Sequence, residues 1–188
     1  PFKWNTTLNI SSYNDRWKER NPDVVLAPYE KEDAPIRAIY GCVSDGILQI
    51  GETPPASMPD LLPGQMKVKD LNGFDPNDGS KLLGHPDGKI DAADRIYLGS
   101  TDPKVIIGFG NMFEYKNFDL NIFFYGMFGQ YVANSNRAKY GPSGCEYILQ
   151  RQNYSKEVLE RWTPDNPTNK FPSGFYSAYY GGDDWLLE

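Results

Sequence analysis

Two runs of alternating apolar and polar residues, joined at Lys116-Asn117, constrain this chain more than anything else in it. In the first run Val105, Ile107, Phe109, Phe113 and Tyr115 share one face; in the second Phe118, Leu120, Ile122, Phe124 and Phe128 do. The other face carries Lys104, Gly108, Gly110, Glu114, Asp119 and Asn121, interrupted by Ile106, Met112, Phe123 and Tyr125. Successive side chains of a strand point to opposite faces, so period two over two arms of about 11 residues predicts a β-hairpin. A hairpin with one greasy face needs a greasy neighbour, either a second sheet or lipid. Each arm has the length of a membrane-crossing strand, and aromatics cluster at the turn end. Soluble sandwiches use the same alternation, so both neighbours stay open on the pattern alone.

A third strand precedes the hairpin: Phe2, Trp4, Thr6, Leu8 and Ile10 alternate with Lys3, Asn5, Thr7, Asn9 and Ser11. From Pro35 to Gln49 the pattern predicts a short strand, a turn at Asp45-Gly46 and another short strand. Pro54, Pro55, Pro59 and Pro63 keep residues 51–64 out of any sheet interior, because proline cannot donate to a ladder. One helical piece is predicted at Lys156–Trp162, capped by Ser155 and stopped by Pro164. The stretches 13–102 and 129–188 are far longer than ordinary hairpin loops. Short turns at one end and long loops at the other is the pattern of an outer-membrane barrel.

Composition narrows the function classes. With 18 Gly, 15 Pro and 14% aromatic residues in 188, the chain suits β-structure with long loops rather than a helical bundle. A net charge of −6 leaves no basic stripe to neutralise phosphates, which argues against nucleic acid. No run of about 20 apolar residues exists, so no transmembrane helix is expected. The lone histidine, His85, sits beside Pro86 in a loop; Asp183-Asp184 has nothing to fix it in a pocket, and no Cys/His cluster or phosphate loop is present. An enzyme is not expected. Cys42 and Cys145 either pair or stay reduced. The chain opens at Pro1 and closes at Asp183–Glu188 on what reads as the start of another strand, as expected of a piece of a longer protein.

A second chemical signal is Asp70-Leu71-Asn72-Gly73 followed by Asp87-Gly88-Lys89-Ile90-Asp91-Ala92-Ala93-Asp94. With residues 74–86 removed it reads D-x-N-G-D-G-K-I-D-x-x-D, close to a calcium loop that supplies oxygens at positions 1, 3, 5, 7, 9 and 12 around a glycine at 6. The candidate Ca2+ ligands are therefore Asp70, Asn72, Asp87, Lys89 (through its carbonyl), Asp91 and Asp94, with Gly88 at the turn and Ile90 anchoring it. Position 12 carries Asp where a bidentate Glu is usual. The insertion Phe74–Pro86 splits the loop and adds Asp75 and Asp78 as substitutes. The alternative is a turn-rich acidic loop whose aspartates cap turns and a short helix at Ala92–Arg95.

Five motifs, in order along nearly the whole chain, together resemble the SusC/RagA type of TonB-dependent outer-membrane transporter. Pro35-Ile36 through Tyr40-Gly41 and Asp45-Gly46-Ile47-Leu48-Gln49 is similar to that family's P-I-x-x-x-Y-G-x-x-x-D-G-I-x-Q. Pro63-Gly64-Gln65-Met66-Lys67-Val68-Lys69-Asp70-Leu71-Asn72-Gly73 is similar to P-G-D-x-K-Y-x-D-x-N-G, with Gln65 where Asp is usual. Asp87–Asp91 with Asp94-Arg95 and Gly99 resembles its continuation. Pro103-Lys104, Gly108, Tyr115–Leu120 and Gly126 resemble its P-K-x-x-x-G…Y-K-G-F-D-L…G hairpin, with Asn117 where Gly is usual. Arg161–Pro167 resembles its R-W-T-P-x-N-P loop.

The resemblance implies an all-β fold: antiparallel strands of a partial transmembrane β-barrel, with long extracellular loops and short helical pieces. Strands at about 2–12, 104–115 and 117–128 would cross the membrane, Lys116-Asn117 would be a periplasmic turn, and 13–102 and 129–188 would be extracellular. It further implies the outer membrane of a Gram-negative, Bacteroidetes-like cell, and import of glycans or peptides captured by a SusD-like lipoprotein and driven by TonB. Both the TonB-contacting region and the plug would lie outside these residues. Trp17, Tyr29, Tyr40, Tyr140, Trp162, Tyr179, Tyr180 and Trp185 are candidates for stacking on sugars or packing against the lid, or simply for packing the loops. The competing class is a secreted, calcium-stapled β-module that binds glycan or protein.

Overall fold

The structure, a computed structural model, describes residues 1–134, 153–173 and 186–187. Among them the strands, in chain order, are β1 (Phe2–Ser12), β2 (Ala38–Gly41), β3 (Ser44–Ile47), β4 (Met66–Val68), β5 (Phe74–Asp75), β6 (Asp78–Leu82), β7 (Ile96–Ser100), β8 (Val105–Tyr115), β9 (Phe118–Phe128), β10 (Val132–Ala133) and β11 (Leu186–Leu187). The fold is all-β and antiparallel.

The three long strands, 11 residues each, form one sheet in the order β1-β8-β9. Their register is unbroken: Phe2 lies opposite Tyr115 and Ser12 opposite Val105, while Val105 lies opposite Phe128 and Tyr115 opposite Phe118. A two-residue turn at Lys116-Asn117 joins β8 to β9, with Lys116 in the left-handed region at φ 54°. All other connections leave the sheet at its opposite end. Every residue of β1 is exposed, and so is every residue of β9 except the half-buried Gly126.

Residues 13–104 fold above that opposite end into short two-stranded ladders, β2 with β7, β3 with β4 and β5 with β6, around a small core of their own. Leu48, Met58, Leu61 and Val68 form it, with Cys42 and Ile90 packed alongside. The expected hairpin at Asp45-Gly46 does not form. Gly46 lies inside β3 at φ 78°, where the β3–β4 register is irregular, and β2 pairs instead with the distant β7. Strands this short carry no readable period, so tertiary partners decide their pairing. Cys145 lies outside the described residues.

Residues 153–173 lock onto this body. Trp162, 4% exposed, donates from Nε1 to Gln49 Oε1 (2.8 Å) and from its backbone to Phe171 O (2.9 Å). Ser173 N donates to Gly64 O, and Gly64 N to Leu48 O. Asn169 Oδ1 accepts from Ile47 N and from Gln49 Nε2. The expected helix at Lys156–Trp162 is a 3-10 turn over Lys156–Glu160, and Ser155 makes no side-chain cap. Drawing Trp162 into the core extends the backbone at Arg161 (ψ 159°), and Pro164 follows.

Gly64 sits where this docking is tightest. Its φ is 88°, and a Cβ there would meet Trp162 Cε3 at 2.4 Å and Ser173 Cβ at 2.7 Å. Gly64→Ala adds left-handed strain and a clash in a packed core, and is expected to destabilise the cap by about 2–4 kcal/mol. The readout is hydrogen exchange across residues 46–66 and 160–173; unchanged protection would contradict the docking.

Candidate functional site

The register assigns every side chain of the long sheet to a face. One face holds Phe2, Trp4, Thr6, Leu8, Ile10 and Ser12 of β1, the odd-numbered residues of β8, and Phe118, Leu120, Ile122, Phe124, Gly126 and Phe128 of β9. Neighbouring rings stack across strands: Phe2 on Phe113 (6.3 Å), Trp4 on Phe113 (6.0 Å) and Phe109 on Phe124 (6.4 Å). Most of these large side chains stay open to the surroundings, from 36% at Ile122 to 80% at Phe118. Phe2, Trp4, Phe113, Tyr115 and Phe118 crowd the turn end, as aromatic girdles do at a membrane interface.

Asn111 is the polar interruption of this face, and its carbonyl is satisfied in place. Trp4 Nε1 (3.1 Å) and Thr6 Oγ1 (2.8 Å) both donate to Asn111 Oδ1, so β1 and β8 are tied at mid-height through this shared carbonyl. The opposite face is polar at its margins, where Lys3 pairs with Glu114 at 3.0 Å. Phe123 lies over Gly108 and Gly110, whose missing side chains make room for its ring. An 11-residue strand extends about 34 Å, and tilted by about 45° it covers about 24 Å, the height of an outer-membrane apolar band.

The acidic turn comes together despite its insertion. The β5–β6 hairpin closes residues 74–82, Leu83 N donates to Gly73 O, and Gly73 lies directly against the Asp87 side chain. Asp70 Oδ2 accepts from Gly88 N (2.8 Å), Asn72 Oδ1 from Gly73 N and Gly84 N, Asp87 Oδ1 from Lys89 N, and Asp91 Oδ1 from Ala93 N. Ile90 is half-buried against the cap core. Asp94, fully buried, spends both oxygens on backbone: Oδ1 accepts from Leu71 N (2.7 Å) and Asn72 N (3.2 Å), and Oδ2 from Asp91 N (2.8 Å). With Asp91 it forms a capping box on the 3-10 turn Ala92–Asp94. Asp70 Oδ1 is buried with no hydrogen-bond partner. Among the described residues no three His, Cys, Asp or Glu side chains converge as a metal cluster. Of the substitutes, Asp75 caps Asn77 N. The Ser80 hydroxyl and Lys81 hold the Asp78 carboxyl below its usual range.

Two curated relatives match the chain. TonB-dependent receptor P26 of Formosa agariphila is 30% identical over 180 residues. TonB-dependent receptor P3 of the same organism is 28% identical over 188. Each alignment takes in 91% of this chain. The chain spans only 17% of the length of either relative. No protein-family model matches it. The open sheet is thus consistent with part of the barrel of a TonB-dependent receptor.

Several residues that matter in this geometry had no clear signal in the sequence. Asn111 shows only as a gap in the apolar alternation, and Gln49 shows only as the last residue of the D-G-I-x-Q motif, with nothing to say that it holds Trp162. Trp162 is committed to the core and is unavailable for stacking on a ligand, whereas Tyr29 and Tyr40 border a cleft, packed 5.5 Å apart. Tyr97 completes that cluster edge-on to Tyr40 at 6.0 Å, and burial, followed by Tyr40, raises its phenol above the usual value. Trp17 stacks under Arg20. Tyr140, Tyr179, Tyr180 and Trp185 lie outside the described residues, as do Asp183 and Asp184. His85 is exposed beside Pro86 O.

Proposed function

We propose that this chain is the membrane-crossing and cap portion of an outer-membrane transporter of the TonB-dependent class, which imports glycans or peptides with a SusD-like lipoprotein. The observation that carries the reading is the open β1-β8-β9 sheet, whose outward face is apolar along its length except for Ser12 at the loop end and the Thr6–Asn111 pair at mid-height, which are bonded to each other. Unpaired edges on β1 and β9 are prohibitive in lipid, and a closed barrel removes them by pairing each with a further strand of the same wall. In this reading the Lys116-Asn117 turn is periplasmic and the cap is extracellular. The larger protein supplies the contact with TonB. Fractionating source cells and mapping the polypeptide that contains Asp119–Phe128 tests it. A species several times larger than 21.3 kDa in the outer membrane is expected; a soluble 21 kDa species would contradict it and favour the secreted module.

We also propose that the split turn takes Ca2+. The supporting observation is Asp70 Oδ1, a buried carboxylate oxygen without a partner at position 1 of the loop. Asp87 commits one oxygen to the Lys89 N–H, and its other remains to offer a cation, while Asp91 is engaged by the backbone of the 3-10 turn. Asp94 takes a structural part instead. Binding at 100 times Kd adds about 2.7 kcal/mol, so the cap of the intact polypeptide is expected to gain protection in millimolar CaCl2 and to lose the gain in Asp70→Asn. Identical exchange with CaCl2 and with chelator would remove calcium from the account.

A further inference from the structure

Asn72-Gly73 is the only Asn-Gly step in the chain, and it lies where the insertion leaves the acidic turn. In such a step the glycine nitrogen can attack the asparagine side-chain carbonyl, because no side chain stands in its way. The fold holds Asn72 for that attack. Gly73 N donates to Asn72 Oδ1 at 3.0 Å, which turns the side chain back on the peptide and sets the nitrogen beside Cγ. We propose that Asn72 is a self-modification site, which deamidates in the folded protein through a cyclic imide with Gly73 N. The reaction goes beyond the transporter and calcium readings and needs neither.

Two neighbours assist it. Gly84 N also donates to Asn72 Oδ1, at 2.7 Å, and the adjoining bond from Leu83 N to Gly73 O (2.8 Å) fixes it there. A backbone N–H aimed at the carbonyl oxygen stabilises the negative charge that gathers on it as nitrogen attacks Cγ. The insertion that splits the turn thus supplies this donor. Asp87 commits Oδ1 to Lys89 N (3.0 Å), and its Oδ2 lies 2.5 Å from where a Cβ of Gly73 would stand. Gly73 is buried, and this carboxylate oxygen is placed to take the proton of its peptide nitrogen. Asn72 Nδ2, the leaving group, makes no hydrogen bond among the described residues.

Gly73 N gives its proton to Asp87 Oδ2 and bonds to Cγ, while the carbonyl electron pair moves onto Oδ1. The pair returns, the Cγ–Nδ2 bond breaks, and Nδ2 leaves as ammonia with the proton from Asp87. Water then opens the imide at either carbonyl, which leaves aspartate or isoaspartate at position 72. Nothing is oxidised or reduced. Aspartate still accepts from Gly73 N and Gly84 N, and adds one negative charge to a turn that already holds Asp70 and Asp87. Isoaspartate lengthens the main chain by one carbon just after Asn72 N, one of the three amides that Asp94 holds, and loosens the turn.

The test uses the full-length polypeptide in detergent with a chelator, so that calcium plays no part, incubated in heavy-oxygen water at mildly alkaline pH. Trypsin then releases residues 70–81, and mass spectrometry places any change at Asn72 or at Asn77 of the same peptide. Conversion at Asn72, with one heavy oxygen incorporated, is expected about tenfold faster than in a synthetic peptide of residues 70–81. Asp87→Asn keeps an acceptor for Lys89 N but loses the proton acceptor, and should bring the rate down towards that of the peptide. Conversion in the protein no faster than in the peptide, or at Asn77 instead of Asn72, would overturn the proposal. An unchanged rate in Asp87→Asn would overturn the part given to Asp87. The comparison of protein with peptide involves no variant, so it stands even where Asp87→Asn fails to fold.

Discussion

Ile122→Arg is expected to lose about 2–4 kcal/mol of folded stability in the membrane, the cost of a cation on the lipid side of a barrel near its midplane. Ile122 stands near the middle of β9, opposite Asn111 on β8 and flanked along its own strand by Leu120 and Phe124 on the same face. An arginine there has a long way to reach either interface. Asn111 cannot satisfy it fully, because its carbonyl already accepts from Trp4 and Thr6. The paired control is Asn121→Arg, one residue away on the opposite, inner face, where the cost should be near zero. Urea titration of the reconstituted protein measures both. Equal stability of Ile122→Arg and the unaltered protein would reverse the assignment of faces.

Asp94→Ala should have the largest effect within the cap. Its carboxylate serves three backbone N–H groups, those of Leu71, Asn72 and Asp91, and removing it orphans all three in a buried site. At about 1–3 kcal/mol for each unsatisfied group, with some relief from water, a local loss of about 3–5 kcal/mol is expected. Amide exchange at Leu71, Asn72 and Asp91 should quicken by more than about 100-fold, since local opening sets their protection. Asp94→Asn keeps one acceptor oxygen and should lose protection mainly at Asp91. Equal losses in Asp94→Asn and Asp94→Ala would mean that Asp94 acts through its charge rather than as an acceptor.

What could be read from the sequence follows the range of the interactions. The long strands carry period two over 11 residues, so one stretch of sequence states both their conformation and their faces. Thr6 and Asn111 break that period, and only the register, which sets them opposite each other, shows why the break is harmless. The cap's strands are two to five residues long, and outside the β5–β6 hairpin their partners are not sequence neighbours, as when β2 finds β7 across the whole acidic turn. No local pattern encodes that pairing. The acidic turn was legible as a spacing of aspartates. The role of Asp94 was not, because an acceptor for three distant amides and a metal ligand are the same residue type at the same position. Trp162 illustrates a similar ambiguity: an aromatic in a polar loop suits ligand stacking and core packing equally until Gly64 is seen beneath it. The cleft has no sequence signature, since Tyr13, Tyr40 and Tyr97 come from separate segments.

The most direct measurement places a fluorescent cysteine label at each position from Phe118 to Phe128 in the full-length protein and quenches it with brominated lipid. The account expects alternation: strong quenching at Leu120, Ile122 and Phe124, and weak quenching at Asn121, Phe123 and Tyr125. Uniformly weak quenching along β9 would contradict it and leave the apolar face to a second sheet.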